Sequence, residues 1–145
     1  MRVLTGRIVV FAGAVAAGLS GSALAEIPNK TQDQLEKLAS HVFTGKVVKV
    51  YSTVERTSPK WEFTYSVAEI QVRDVEKGEH EAGLAYVRFW RKRFLGDGPP
   101  EPSHYGHRRV PKVGSLARVY VMTEDDGGYD VLSPNGFAAV EAHGN

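Results

Sequence analysis

Two histidines three residues apart, His104 and His107, stand in a segment that also holds Asp97, Glu101, Tyr105 and the pair Arg108-Arg109. Imidazole and carboxylate together can hold zinc, copper or nickel, so His104, His107, Asp97 and Glu101 form a candidate metal set. A metal site needs three or four ligands at fixed distances, however, and the adjacent arginines oppose the approach of a cation. A second group is Tyr86, Arg88, Trp90 and Lys92, interleaved with Arg91 and Arg93. With Tyr105 it forms a candidate ligand-binding set, because rings stack on bases or sugars while arginine and lysine engage anionic groups. A plainer account exists for the same stretch. Val87 and Phe89 point inward, Trp90 packs under a loop, and the cations form the solvated end of a strand.

Hydrolytic chemistry requires a positioned nucleophile, a base and a group that orients the base. Ser103-His104 and Ser133 lack the setting of a nucleophile elbow. Asp125-Asp126 supplies paired carboxylates, but followed by Gly127-Gly128 it reads first as a turn. There is no phosphate-cradling glycine loop and no dinucleotide fingerprint, so the sequence indicates no cofactor. Cysteine is absent, which excludes cysteine-ligated zinc, iron–sulfur clusters, a thiol nucleophile and disulfide support.

The chain begins with Arg2 and Arg7, runs apolar from Ile8 to Leu19, and reaches Ala23-Leu24-Ala25. A positive start, a short apolar core and small residues before the cut make residues 1–25 a secretory signal peptide, cleaved after Ala25. The apolar run falls short of the roughly 20 residues that span a bilayer, and no other segment reads as a membrane span. The working protein is then a single small domain, residues 26–145, periplasmic or secreted. Without Arg2 and Arg7 it has 16 basic against 17 acidic residues, a formal charge of −1 instead of +1. That balance gives no broad electrostatic case for nucleic acid.

The candidate residues need a scaffold. Thr31 and Gln34 have the spacing of a capping box, and Leu35, Leu38, Ala39 and Val42 recur at helical intervals, predicting a helix over about 32–41 closed by His41. From Val42 the pattern is that of strands: 42–54, then 61–75, 84–94, 116–123 and 129–132, with 137–143 an edge strand or a last short helix. Trp61, Phe63, Tyr65 and Val67 share one side, whereas Ala68, Ile70 and Val72 take the other. Either a β-bulge near Val67-Ala68 or burial of both faces accounts for the slip. The segment from Gly96 to Gly114 holds four of the seven prolines and is a long loop. Asp125-Asp126-Gly127-Gly128 marks a tight hairpin.

These elements predict a mainly β protein, a small five-stranded antiparallel OB-like barrel with one short N-terminal helix; an open sandwich is the rival. The order of segments also resembles a known family. "VFTGKVVKV", "FTYSVAEIQVRDVEKG" and the Gly-led hairpin "KVGSLARVYVMTEDDGGYDVL" are similar to those of netrin-like, or tissue-inhibitor-of-metalloproteinase-like, modules, over residues 38–133. The resemblance implies an OB barrel. It does not extend to protease inhibition, since those inhibitors place an N-terminal cysteine at the target's zinc. The expected function is that of an exported, noncatalytic binding module whose partner is another exported protein, a glycan or an envelope polymer. The alternatives are a metal-dependent or hydrolytic enzyme centred on His104 and His107, and a structural component of the cell envelope.

Overall fold

The computed structural model describes residues 27–81, 83–100 and 103–140. Residues 1–26, where the sequence predicts a leader, Glu101 of the candidate metal set and the tail from residue 141 lie outside the described residues.

Helix α1, Gln32–Leu38, starts where the capping box places it: the Thr31 hydroxyl accepts from the Gln34 amide at 3.2 Å, and the Gln34 side chain accepts from the Thr31 amide at 2.9 Å. Two otherwise unpaired amides of the first turn are thereby satisfied. The helix stops at Leu38, earlier than the sequence suggested. The Ala39 backbone is extended and the Ser40 amide already donates to the Val121 carbonyl. His41 therefore opens the first strand instead of closing the helix. Leu35 and Ala39 pack with Val42 and Tyr120, which fixes so short a helix on the sheet.

Among the described residues six strands follow: β1 His41–Ser58, β2 Trp61–Lys77, β3 Leu84–Phe94, β4 Leu116–Thr123, β5 Tyr129–Val131 and β6 Phe137–Ala139. They form one mixed sheet in the order β1-β2-β3-β5-β4-β6, with β1 also paired to β4. The Asp125–Gly128 turn joins β4 to β5 as expected, with Gly127 at φ +78° and the Glu124 amide donating to the Gly128 carbonyl.

The five-stranded antiparallel OB-like barrel is not what the chain forms, and the netrin-like resemblance falls with it. The sheet is ring-like in its pairings but is not a barrel. Three features are responsible. β5 lies parallel to β3 and matches it at only two positions, Val87 with Tyr129 and Arg88 with Asp130. The edge of β4 that a single strand would cover is divided, β5 taking Val121–Thr123 and β6 taking Ala117–Val119. Finally, β1 meets β4 only over His41–Lys46, and from Val48 onward it pairs with β2 alone. The ring is thus tied at one end, while the β1–β2–β3 ribbon runs on beyond it as an open sheet.

The bulge also sits elsewhere than expected. β2 and β3 keep an unbroken register from Trp61 opposite Phe94 to Gln71 opposite Leu84. The irregularities lie between β1 and β2, at Val42/Phe43, Thr44/Gly45, Arg56/Ser58 and, nearest the middle of the ribbon, Val47/Lys49, where Val48 is the inserted residue. That insertion turns Val47 and then Val50 toward the same core. Phe43, Val47, Ile70, Val87, Val119 and Val121 are fully buried there, with Phe89 and Phe137 meeting edge to face at 5.2 Å. The parity slip in β2 records two apolar faces, only one of them buried: its even residues Ala68 and Ile70 enter this core, and its odd residues build a second, half-exposed apolar layer outside it.

Candidate binding face

That outer layer is set by strand alternation. In register, Trp61 lies opposite Phe94, Phe63 opposite Lys92, Tyr65 opposite Trp90, Val67 opposite Arg88 and Glu69 opposite Tyr86. β1 adds Tyr51 beside Val67 and Thr53 beside Tyr65. Residues with the same parity point the same way, so Tyr86, Arg88, Trp90 and Lys92 share one face with five further aromatic side chains. Arg91 and Arg93 go to the opposite face, where Arg93 pairs with Glu62 at 2.8 Å. The basic cluster read from the sequence is therefore split in two by the strand.

The rings contact one another across the strands. Trp61 and Phe94 are 4.9 Å apart, Phe63 and Tyr65 stack at 5.9 Å, and Phe63 and Trp90 lie at 6.0 Å. The Lys92 ammonium is 4.3 Å from the centre of the Trp61 ring, in cation–π geometry, and 6.0 Å from that of Tyr105. It also donates to the Ser103 hydroxyl.

The long loop closes the far side of the face by joining the sheet. The Lys92 amide donates to the Tyr105 carbonyl at 3.1 Å and the His107 amide to the Trp90 carbonyl at 2.8 Å, with Gly106 bridged to Arg91. Residues 105–107 are thus a short antiparallel rung on β3. Gly106 makes it possible, with φ at +82° and its backbone so close to β3 that a Cβ would stand 2.2 Å from the Trp90 carbonyl oxygen.

His104 and His107 flank this rung on opposite sides. The His104 ring meets Trp90 at 5.1 Å on the outer face, whereas the His107 ring meets Phe89 and Phe137 toward the core. His107 is buried, with Nε2 donating to the Val131 carbonyl at 2.8 Å and Nδ1 set against the Trp90 backbone, 3.2 Å from its amide and 3.0 Å from its carbonyl oxygen. Its ring bridges β3 and β5 just where their direct pairing ends. Both nitrogens of His104 are engaged as well: Nδ1 accepts from the Gly106 amide at 3.2 Å, so Nε2 carries the hydrogen and donates to the Ser133 hydroxyl at 3.0 Å. That tautomer cannot take a proton from Ser133, which is what a hydrolytic base would have to do. Asp97 is exposed in the loop. Among the described residues no three histidine, aspartate or glutamate side chains come together in a way that could hold a metal ion.

Burial first, and then the proximity of His107, Lys30, Lys92 and Arg108, hold the His104 imidazole below its ordinary value of 6.5. A histidine depressed in the folded state stabilises the fold above the unfolded value, and that contribution is lost as pH falls toward and through the folded one. Urea midpoints are expected to drop as pH is lowered from about 7 to about 5, and less steeply in His104→Gln. Equal slopes for the two proteins would contradict this role.

Arg88 is the fixed cation of the face. Its guanidinium forks onto both carboxylate oxygens of Asp126, one of them at 3.1 Å, and its Nε donates to Asp130. These hydrogen bonds, to Asp126 and then to Asp130, raise the arginine further above its ordinary value, while the Arg88 contact draws Asp126 down. Asp126 thus does more than turn the chain: it also accepts from the Gly128 amide at 2.8 Å and holds Arg88 in place. Reading the hairpin as a turn alone missed this clamp.

Between these groups lies a cleft of about 810 Å³, bounded by Tyr51, Tyr65, Val67, Arg88 and Trp90 on the sheet and by Asp130, Ser133 and His107 on the other side. Its surface is mainly apolar, with hydroxyl, carboxylate and guanidinium groups among the lining, the usual constitution of a ligand site. Tyr86 lies on the same sheet face but outside the cleft, and Lys92 and Tyr105 lie beyond Trp90. Tyr51, Tyr65 and Ser133 were not among the sequence candidates; the alternation of Trp61, Phe63 and Tyr65 was the signal available for the second of them.

The chain matches no family model, no curated protein and no solved structure. Among the described residues no helix is long and apolar enough to cross a membrane.

Proposed function

We propose that the protein is an exported, noncatalytic binding module that takes a glycan on the outer face of β2 and β3. One observation carries the reading: Tyr51, Tyr65 and Trp90 line a single cleft together with Arg88, Asp130 and Ser133. The C–H faces of a sugar ring are apolar and stack on aromatic rings, while its hydroxyls need donors and acceptors arranged at the periphery. The Arg88–Asp130 pair offers both. Export follows from the residues of the leader, and an envelope polysaccharide is then the ligand class within reach. The donor tautomer of His104 and the separate surroundings of the two histidines favour binding over hydrolysis.

The test is calorimetric titration with soluble N-acetylglucosamine oligomers and with solubilised envelope polysaccharide. Saturable binding, unaccompanied by cleavage of the oligomer, is the expected result. No heat with any of them at about 1 mM, the weak end of specific recognition, would remove the glycan reading, and release of shorter products would replace a binding module with an enzyme.

A further inference from the structure

The free edge of β1 points to a second copy of this chain as its partner. Among the described residues, this strand has a neighbour on one side only, β2, from Val48 to Ser58. Val54, 58% exposed, Tyr51 and Val48 are the large apolar residues left uncovered there. Long, apolar, unpaired edges are templates for strand addition, and proteins ordinarily shorten or cover them.

The direction of the edge groups follows from the hydrogen bonds already given. The Lys92 amide and the Trp90 carbonyl bond residues 105–107, so even-numbered residues of β3 turn away from β2 and odd-numbered ones toward it. Phe89 lies opposite Ser66, so Ser66 turns toward β3 and its neighbours Tyr65 and Val67 toward β1. Their partners Thr53 and Tyr51 turn inward. Val50, Ser52 and Val54 therefore present their N–H and C=O groups to solvent.

We propose that two copies pair antiparallel through this edge about a twofold axis at Ser52. In that register Ser52 meets Ser52, and each Val50 meets the Val54 of the other copy, all with outward amides and carbonyls opposed so that the ladder can form. Lys49 of each copy meets Glu55 of the other, twice by symmetry, and the apolar side chains of Val50 and Val54 cover each other. Opposite charges facing across strands are favourable and like charges are unfavourable, and a self-complementary patch is what a twofold interface requires. The pairing joins two open ribbons into one continuous sheet and sets two aromatic faces side by side. It stands independently of the glycan reading.

Sedimentation equilibrium of the purified protein without ligand tests it. Dimer formation is expected with a dissociation constant of about 10–100 µM. Lys49→Glu and Glu55→Lys each place like charges opposite each other twice, and each is expected to weaken association roughly tenfold or more. The double variant, and an equimolar mixture of the two single variants, restore opposite charges and are expected to dimerise again. Both positions are exposed; Glu55 faces Phe63 within its own chain, so the circular dichroism melt of Glu55→Lys should match that of the unaltered protein, whereas Lys49 faces Glu69 and lies over the Tyr51 ring, so Lys49→Glu should melt somewhat lower while still folding cooperatively. A monomer at about 1 mM, single variants that still dimerise normally, or a failure of the double variant and the mixture to recover would each overturn the proposal.

Discussion

Gly106→Ala is expected to lower the free energy of unfolding by about 3 kcal/mol. The two causes are separable. Positive φ at position 106 costs an L-residue about 1–2 kcal/mol, and φ there is +82°. The new Cβ would stand 2.2 Å from the Trp90 carbonyl oxygen, a backbone atom of a central strand that cannot give way cheaply. The rung must then lift from β3 and lose the bonds His107–Trp90 and Lys92–Tyr105, each contributing about 1 kcal/mol. In urea the midpoint should fall while the slope is kept, since the amount of surface exposed on unfolding hardly changes. A loss under about 1 kcal/mol, the ordinary scale of a point mutation, would mean that the loop is not docked on the sheet.

Trp90→Ala should weaken saccharide binding by roughly thirtyfold, which corresponds to about 2 kcal/mol at an aromatic hot spot. Trp90 stands at the junction of three groups: it contacts Phe63 on β2, His104 on the loop and the cleft itself. Its backbone bonds to His107 do not depend on the side chain, so the strand and the rung persist. Arg93→Ala is the matched comparison, because Arg93 lies on the opposite face, paired with Glu62. Binding should survive that change. If both variants bind as the unaltered protein does, the ligand does not use the outer face; if both lose binding equally, it does not distinguish the faces.

Local signals in the sequence translated well. The Thr31 and Gln34 side chains cap the helix, and the Asp125–Gly128 turn joins two strands, because each depends on residues close together in the chain. The strands themselves were legible from β-branched and aromatic alternation. Their closure was not. Whether Tyr129–Val131 lies parallel to β3 is settled by packing between residues some forty positions apart, and the sharing of one β4 edge between β5 and β6 depends on how these three short segments pack together. The phase slip in β2 was visible but ambiguous. A bulge and a strand that is apolar on both faces leave the same pattern; the unbroken register with β3 excludes the bulge, and only the even face proves buried.

The candidate site was legible to a similar depth. Alternation alone could place Tyr86, Arg88, Trp90 and Lys92 together. It could equally have sent Arg91 and Arg93 to the other side, a division that composition obscures. The loop was harder. His104 and His107 look like a pair in sequence, yet the antiparallel rung directs their rings to opposite sides of β3. The Arg88–Asp126 clamp joins residues with no local relation at all, so nothing in the pattern of either segment announced it.

The most direct measurement is an amide and indole NMR titration of the protein with the saccharide that calorimetry identifies. Shifts are predicted at Tyr51, Tyr65, Arg88, Trp90 and Asp130 and at the Trp90 indole, leaving Arg93 and the groove of about 660 Å³ between Arg109–Ala117 and Phe137–Val140 unaffected. Shifts concentrated in that groove, with Tyr65 and Trp90 unmoved, would contradict the assignment of the outer face as the binding site.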